Sequence, residues 1–141
     1  MPPADPSTEA VSTSQDDAIA GVVLILEDEP MTALMVQKAV TERGFAVAGP
    51  FARQEDALEA LDALGGRPVT AALLDVSLRG GATSAPVADV LAQRDIPFAF
   101  VTGYGPETGV VASAFPDRLV IPKPVDQATV GLILDELLRP R

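Results

Sequence analysis

Short aliphatic runs alternate with segments in which apolar residues recur every three or four positions, from residue 21 to near the end of the chain. VVLIL (22–26) has the length of a buried strand. Pro30 then suits the first turn of a helix whose inner face carries Met35, Val36, Ala39 and Val40, ending at Gly44. FAVAGPF (45–51) reads as a second strand, and Pro50 places it at a sheet edge or a strand end because proline cannot donate to a ladder. Ala57, Leu58, Leu61 and Leu64 mark a helix over 53–64, closed by Gly65 and Gly66. VTAALL (69–74) is a third strand running into Asp75, and Ser84 with Pro86 predicts the start of a helix through VADVLAQR. PFAFV forms a fourth strand ending at Thr102. Gly109 and two β-branched residues make any helix over 106–114 weak. RLVI (118–121) is a fifth strand, and Asp126 caps a last helix whose apolar face is Val130, Ile133, Leu134, Leu137 and Leu138.

Five strands alternating with five helices imply a parallel sheet covered on both faces, since each parallel crossover needs a helix and is right-handed. The expected architecture is an α/β, doubly wound, five-stranded parallel sheet over residues 20–141. Residues 1–19 are rich in Pro, Ser, Thr and acids without apolar periodicity, and are expected to form a disordered tail.

Composition narrows the chemistry. Hydrophobic residues make up 48% of the 141-residue chain and aromatics only 4%, so one mainly aliphatic core is expected. There is no Cys and no His, which excludes disulfides, thiol nucleophiles, an imidazole base and zinc sites built on either residue. A net charge of -10 disfavours nucleic acid and anionic membrane surfaces as partners. No signal-peptide pattern and no membrane-length apolar run occurs, so a cytoplasmic location is expected.

In doubly wound sheets ligands bind outside the carboxyl ends of the strands, at a topological switch point. Strand one ends in Glu27, Asp28 and Glu29, strand three in Asp75, strand four in Thr102, and strand five in Lys123. Clustered carboxylates repel one another unless a cation joins them, and all-oxygen ligands suit Mg²⁺, with Mn²⁺ as the alternative. A carboxylate beside such an ion, with a lysine and a hydroxyl in reach, suits phosphoryl handling: Asp75 attacks phosphorus while Lys123 neutralises non-bridging oxygens and Thr102 donates a hydrogen bond.

These segments resemble the receiver domain of two-component response regulators over about residues 20 to 140. LILEDEP is similar to the family's acidic pair, AALLDVSL to its phosphoacceptor segment, FVTG to its switch threonine, and IPKP to its lysine and proline. The resemblance implies the flavodoxin-like (βα)5 three-layer sandwich. It also implies phosphorylation of Asp75 from a phosphohistidine on a sensor histidine kinase or histidine phosphotransferase. Mg²⁺ would be held by Asp28, Asp75 and the Ser77 backbone carbonyl, with Glu27 acting through water, and the Lys123-Pro124 bond is expected to be cis. Two departures are visible: Arg79 stands where the family often has Pro, and Val120 where it has an aromatic switch residue. PFAFVTGYG resembles the FATGUY subgroup of alphaproteobacterial receivers, which often stand alone and serve phosphorelays or general stress signalling. That resemblance makes Tyr104 and Ser77 candidate modulators of phosphoaspartate lifetime.

Little sequence follows the last helix, so output is expected through contact with a downstream protein partner rather than through an effector domain. The implied role is a phosphoacceptor signalling domain rather than an enzyme acting on external substrates. A phosphate sink or shuttle is the alternative. An Mg²⁺-dependent aspartyl-phosphate phosphatase is a third class, disfavoured because Ser77 occupies the position where such enzymes usually carry a second Asp.

Overall fold

The computed structural model describes residues 21–63, 69–103, 109, 111 and 113–139. The tail expected over 1–19, the helix closure at Leu64, Gly65 and Gly66, and Tyr104 fall outside them. Five parallel strands form one sheet: β1 (Val22–Leu26), β2 (Ala46–Phe51), β3 (Ala71–Leu74), β4 (Phe98–Thr102) and β5 (Leu119–Pro122), in the order β2-β1-β3-β4-β5. The helices are α1 (Pro30–Glu42), α2 (Gln54–Ala63), α3 (Ala85–Gln93) and α4 (Gln127–Leu137), and Gly109, Val111, Ser113 and Ala114 before β5 are also helical. This is the flavodoxin-like doubly wound architecture, with β2, which carries Pro50, at an edge of the sheet.

Side chains along each central strand alternate between two cores. Leu24, Leu26, Ala72, Leu74, Phe98 and Phe100 point to the face covered by α2 and α3, while Val23, Ile25, Ala71, Leu73 and Ala99 meet α1 and α4. The few aromatics are concentrated on the first face. Phe98, Phe100 and Phe115 pack with ring centroids 5.5 to 5.9 Å apart, so this half of the core is less aliphatic than composition implies. The opposite face is built from small and branched residues, and there α1 packs directly against α4.

Several local expectations shift slightly. Val69 and Thr70 precede β3 rather than joining it, although Val69 is buried, and β5 starts at Leu119 instead of Arg118. Asp126 caps α4 by accepting the Thr129 N–H at 2.8 Å. Ser84 occupies the N-cap of α3, but its side chain makes no capping bond; the Ala85 N–H reaches the Thr83 hydroxyl instead, at 3.3 Å.

One irregularity matters for the site. Ala48 pairs with Leu24 but Phe51 with Leu26, so β2 carries one extra residue across from β1. Gly49 makes this bulge, with φ +106° and so little space that a Cβ would lie 2.8 Å from the Ile25 carbonyl oxygen. With the extra residue, Phe51 rather than Pro50 faces Leu26, and its carbonyl accepts the Glu27 N–H at 2.8 Å. The backbone is thereby held in the sheet one residue past the end of β1.

Candidate functional site

The site forms where the topology reverses, between the carboxyl ends of β1 and β3. β1 delivers Glu27, and backbone pairing continues past β3 because the Asp75 N–H donates to the Leu26 carbonyl at 2.8 Å. Both acids are 5% exposed, so neither carboxylate keeps its hydration shell. Lys123 follows β5 directly, with its N–H donating to the Thr102 carbonyl at 2.7 Å and its peptide bond to Pro124 cis.

The Lys123 ammonium compensates for the buried acids. Its Nζ lies 3.0 Å from both Glu27 oxygens and 3.1 Å from Asp75 Oδ2. The other Asp75 oxygen, Oδ1, accepts the Ser77 N–H at 3.2 Å. Asp28 is turned outward against the β3–α3 loop, where the Arg79 N–H donates to its Oδ2 at 2.7 Å. One carboxylate oxygen from each of Glu27, Asp28 and Asp75 lies within 4.8 Å of the others. Three hard oxygen donors so close, with a single lysine between two of them, fit a Mg²⁺-sized cation and offer nothing suited to a soft metal.

Electrostatics separate the members of this cluster. Burial pushes the Glu27 carboxyl up to about 7, and the charge of Asp75 adds to the rise, while the Lys123 hydrogen bond and the Glu29 N–H oppose it. For Lys123, burial alone lowers the pKa, but the hydrogen bonds and charges of Glu27 and Asp75 together outweigh it and hold the ammonium above its ordinary value. Lys123 therefore stays charged across the neutral range, and Glu27 is the group that titrates.

A pH dependence with a definite sign follows for the metal-free protein. The folded state retains a proton on Glu27 that the unfolded chain loses above its ordinary carboxylate range. Stability from this group is therefore complete below about 4.5 and is lost as pH rises through about 7. Glu27→Gln should flatten the slope of unfolding free energy over that window, by up to about 1.4 kcal/mol per pH unit. Urea unfolding with chelator present measures it, and equal slopes in variant and wild type would refute the assignment.

Thr102 ends β4, 3% exposed, its hydroxyl donating to the Gly103 carbonyl at 3.3 Å. Val120 lies in β5 opposite Phe100, 39% exposed, where the resemblance expects an aromatic ring. Ser77 sits beside Asp75, its backbone also bridged to Thr83. Glu27, Asp28, Asp75 and Lys123 are thus brought together, with Ser77 and Thr102 alongside them. Val120 stands apart on the edge strand. Two contributions were not assigned from the sequence: the N–H of Glu29, named there only as one of the strand-end acids, which binds Glu27 Oε2 at 3.0 Å, and Arg79 as a partner of Asp28. Only the departure from the usual proline pointed to Arg79.

Among the described residues no helix is long and apolar enough to cross a membrane. No protein-family model matches the chain, and no curated protein matches it. Solved structures do. SdrG from Sphingomonas melonis Fr1 is 40% identical, with 86% of this chain and 98% of that one covered at a TM-score of 0.70. The PhyR stress response regulator is 31% identical over 89% of this chain and 47% of its own, with a TM-score of 0.69. The receiver domain of PhyR from Erythrobacter litoralis is 28% identical over 85% of this chain and 91% of its own, also at 0.69. With this likeness over nearly all of SdrG, and the acids and lysine gathered at the switch point of the same fold, the chain belongs to the response regulator receiver domains.

Proposed function

We propose that this receiver accepts a phosphoryl group on Asp75 from a phosphohistidine of a sensor histidine kinase or histidine phosphotransferase, in a Mg²⁺-dependent reaction. The observation that carries the reading is the state of Asp75. It is a buried carboxylate whose two oxygens are separately engaged, one by the Ser77 N–H and one by Lys123, with two further acids in reach. Glu27, Asp28, Asp75 and the Ser77 carbonyl would hold the cation, which supplies charge neutralisation at the phosphoryl oxygens.

The remaining chemistry belongs to the chain. An Asp75 oxygen attacks phosphorus in line, the P–N bond of the donor breaks, and its electron pair returns to the imidazole nitrogen, so no external base is required. Lys123 exchanges its contact with Asp75 for one with the incoming phosphoryl oxygens. Thr102 donates its hydroxyl proton to one of them once the group is attached, leaving its bond to Gly103. Loss of that hydroxyl contact and of the Lys123 to Asp75 pair biases the segment after β4 and the edge strand β5 toward a second arrangement.

The activity is that of a cytoplasmic phosphoacceptor and not of an enzyme with external substrates; its output is contact with a downstream protein. General stress signalling is the favoured setting. Support comes from the likeness to PhyR, titled a stress response regulator, and from PFAFVTGYG, which resembles the motif of the FATGUY subgroup.

Amide NMR of the full chain titrated with Mg²⁺ and beryllofluoride, a mimic of the aspartyl phosphate, tests the proposal. Large shifts are expected at Asp75, Ser77, Thr102 and Lys123 when both reagents are present, beyond the smaller shifts that Mg²⁺ alone produces. A spectrum unchanged at these positions refutes it.

A further inference from the structure

We propose that Arg79 is a built-in counter-cation for Asp28, competing with the divalent ion and setting how tightly the acidic cluster binds it. The inference rests on the metal reading above. Arg79 opens the short 3-10 turn Arg79–Gly81, whose Gly80 takes a left-handed φ of +78°. The loop around it is pinned independently of the arginine side chain, by the Leu78 N–H on the Ala82 carbonyl at 2.9 Å and by the pairing of Ser77 with Thr83. The Arg79 backbone N–H is therefore a fixed donor to Asp28 Oδ2, and any residue but proline supplies it.

The guanidinium is the part particular to arginine. Its Nε lies 3.7 Å from the same Asp28 oxygen; the Asp28 side chain is 12% exposed while that of Arg79 is 79% exposed. A cation at that distance offsets the repulsion among Glu27, Asp28 and Asp75 when no metal is bound, and opposes a dication arriving at the same cluster. Lys123 cannot do this for Asp28, since its contacts are with Glu27, Glu29 and Asp75. A cavity of about 510 Å³ beside the loop, lined by Asp28, Arg53, Leu78, Arg79 and Ala82, leaves the guanidinium room to withdraw when the ion enters. The cluster thus carries two compensating cations of different kinds: a half-buried lysine fixed between two acids and an exposed arginine that is displaceable.

A charge series at position 79 tests this, read as the Mg²⁺ dissociation constant from amide shifts of the full chain, without any phosphodonor. Arg79→Ala and Arg79→Gln should bind Mg²⁺ about two- to fivefold more tightly than wild type, as expected for removing one exposed charge near the site. Arg79→Lys should resemble wild type, and Arg79→Glu should bind more tightly still. The differences should shrink near 1 M salt, because an exposed charge is screened there. Affinities in Arg79→Ala that equal or fall below wild type overturn the proposal while leaving the metal site standing. Absence of saturable Mg²⁺ shifts at Asp28 and Asp75 in wild type overturns the metal reading and this inference together.

Discussion

Asp75→Asn should abolish covalent phosphorylation. With phosphoramidate as donor, chosen because its P–N bond imitates phosphohistidine, wild type with Mg²⁺ should gain the mass of one phosphoryl group and the variant should remain at background. The side chain is close to isosteric, so the Ser77 N–H still finds an oxygen and loss of labelling does not reflect unfolding. What disappears is the anionic nucleophile, and an amide is too weak a nucleophile to replace it. Neighbouring acids cannot substitute: Glu27 is drawn up to about 7 by burial and faces Lys123, and Asp28 is turned toward Arg79. Labelling retained in Asp75→Asn would remove Asp75 from the mechanism, and mapping the modified residue would show what replaces it.

The second large effect is expected from Lys123→Ala. This ammonium contacts both Glu27 and Asp75, two acids that are 5% exposed, and its loss leaves them facing each other without compensation. Breaking a buried pair by deleting one partner costs about 3 to 5 kcal/mol, most of it the penalty of the orphaned charge. The metal-free variant should therefore lose about 3 kcal/mol at pH 8 in urea unfolding. The loss should diminish toward pH 6, where Glu27 takes up a proton and one of the two charges disappears. Millimolar Mg²⁺ should restore part of the deficit at pH 8, since a cation bound to the folded state alone stabilises it by mass action. A loss below about 1 kcal/mol, independent of pH and of Mg²⁺, would mean that the acids are not held together by this lysine.

These two residues also mark how far the sequence is legible. Asp75 stands at the end of an apolar run and Lys123 before a proline, and both features survive as local patterns because strand alternation and proline geometry are local. That the strand with Pro50 lies at a sheet edge or ends there is read in the same way, and the strand order makes β2 the edge. The four named helices were legible from apolar spacing and caps, and so was the Asp126 cap. The Ser84 side chain shows the limit: a serine before a proline-initiated helix reads as a cap, yet tertiary packing buries it fully and the neighbouring Thr83 hydroxyl takes the amide instead. Arg79 is a second limit. In sequence it is an arginine in a glycine-containing loop, and nothing near it in the chain indicates that Asp28, 51 residues away, accepts its N–H.

What the sequence by itself determined is therefore the set of elements and the polar residues at their ends, because these depend on hydrophobic period and backbone preference within a few residues. Only the tertiary structure shows the strand order that places Glu27 against Asp75, the bulge at Gly49 that makes Phe51 the residue holding the Glu27 backbone, and the burial that raises Glu27 while Lys123 stays charged. Pairing between distant strands, and the desolvation that follows from it, arise from contacts across tens of residues. A carboxylate's distance from water and from the next charge is a property of those contacts, and no local pattern encodes it.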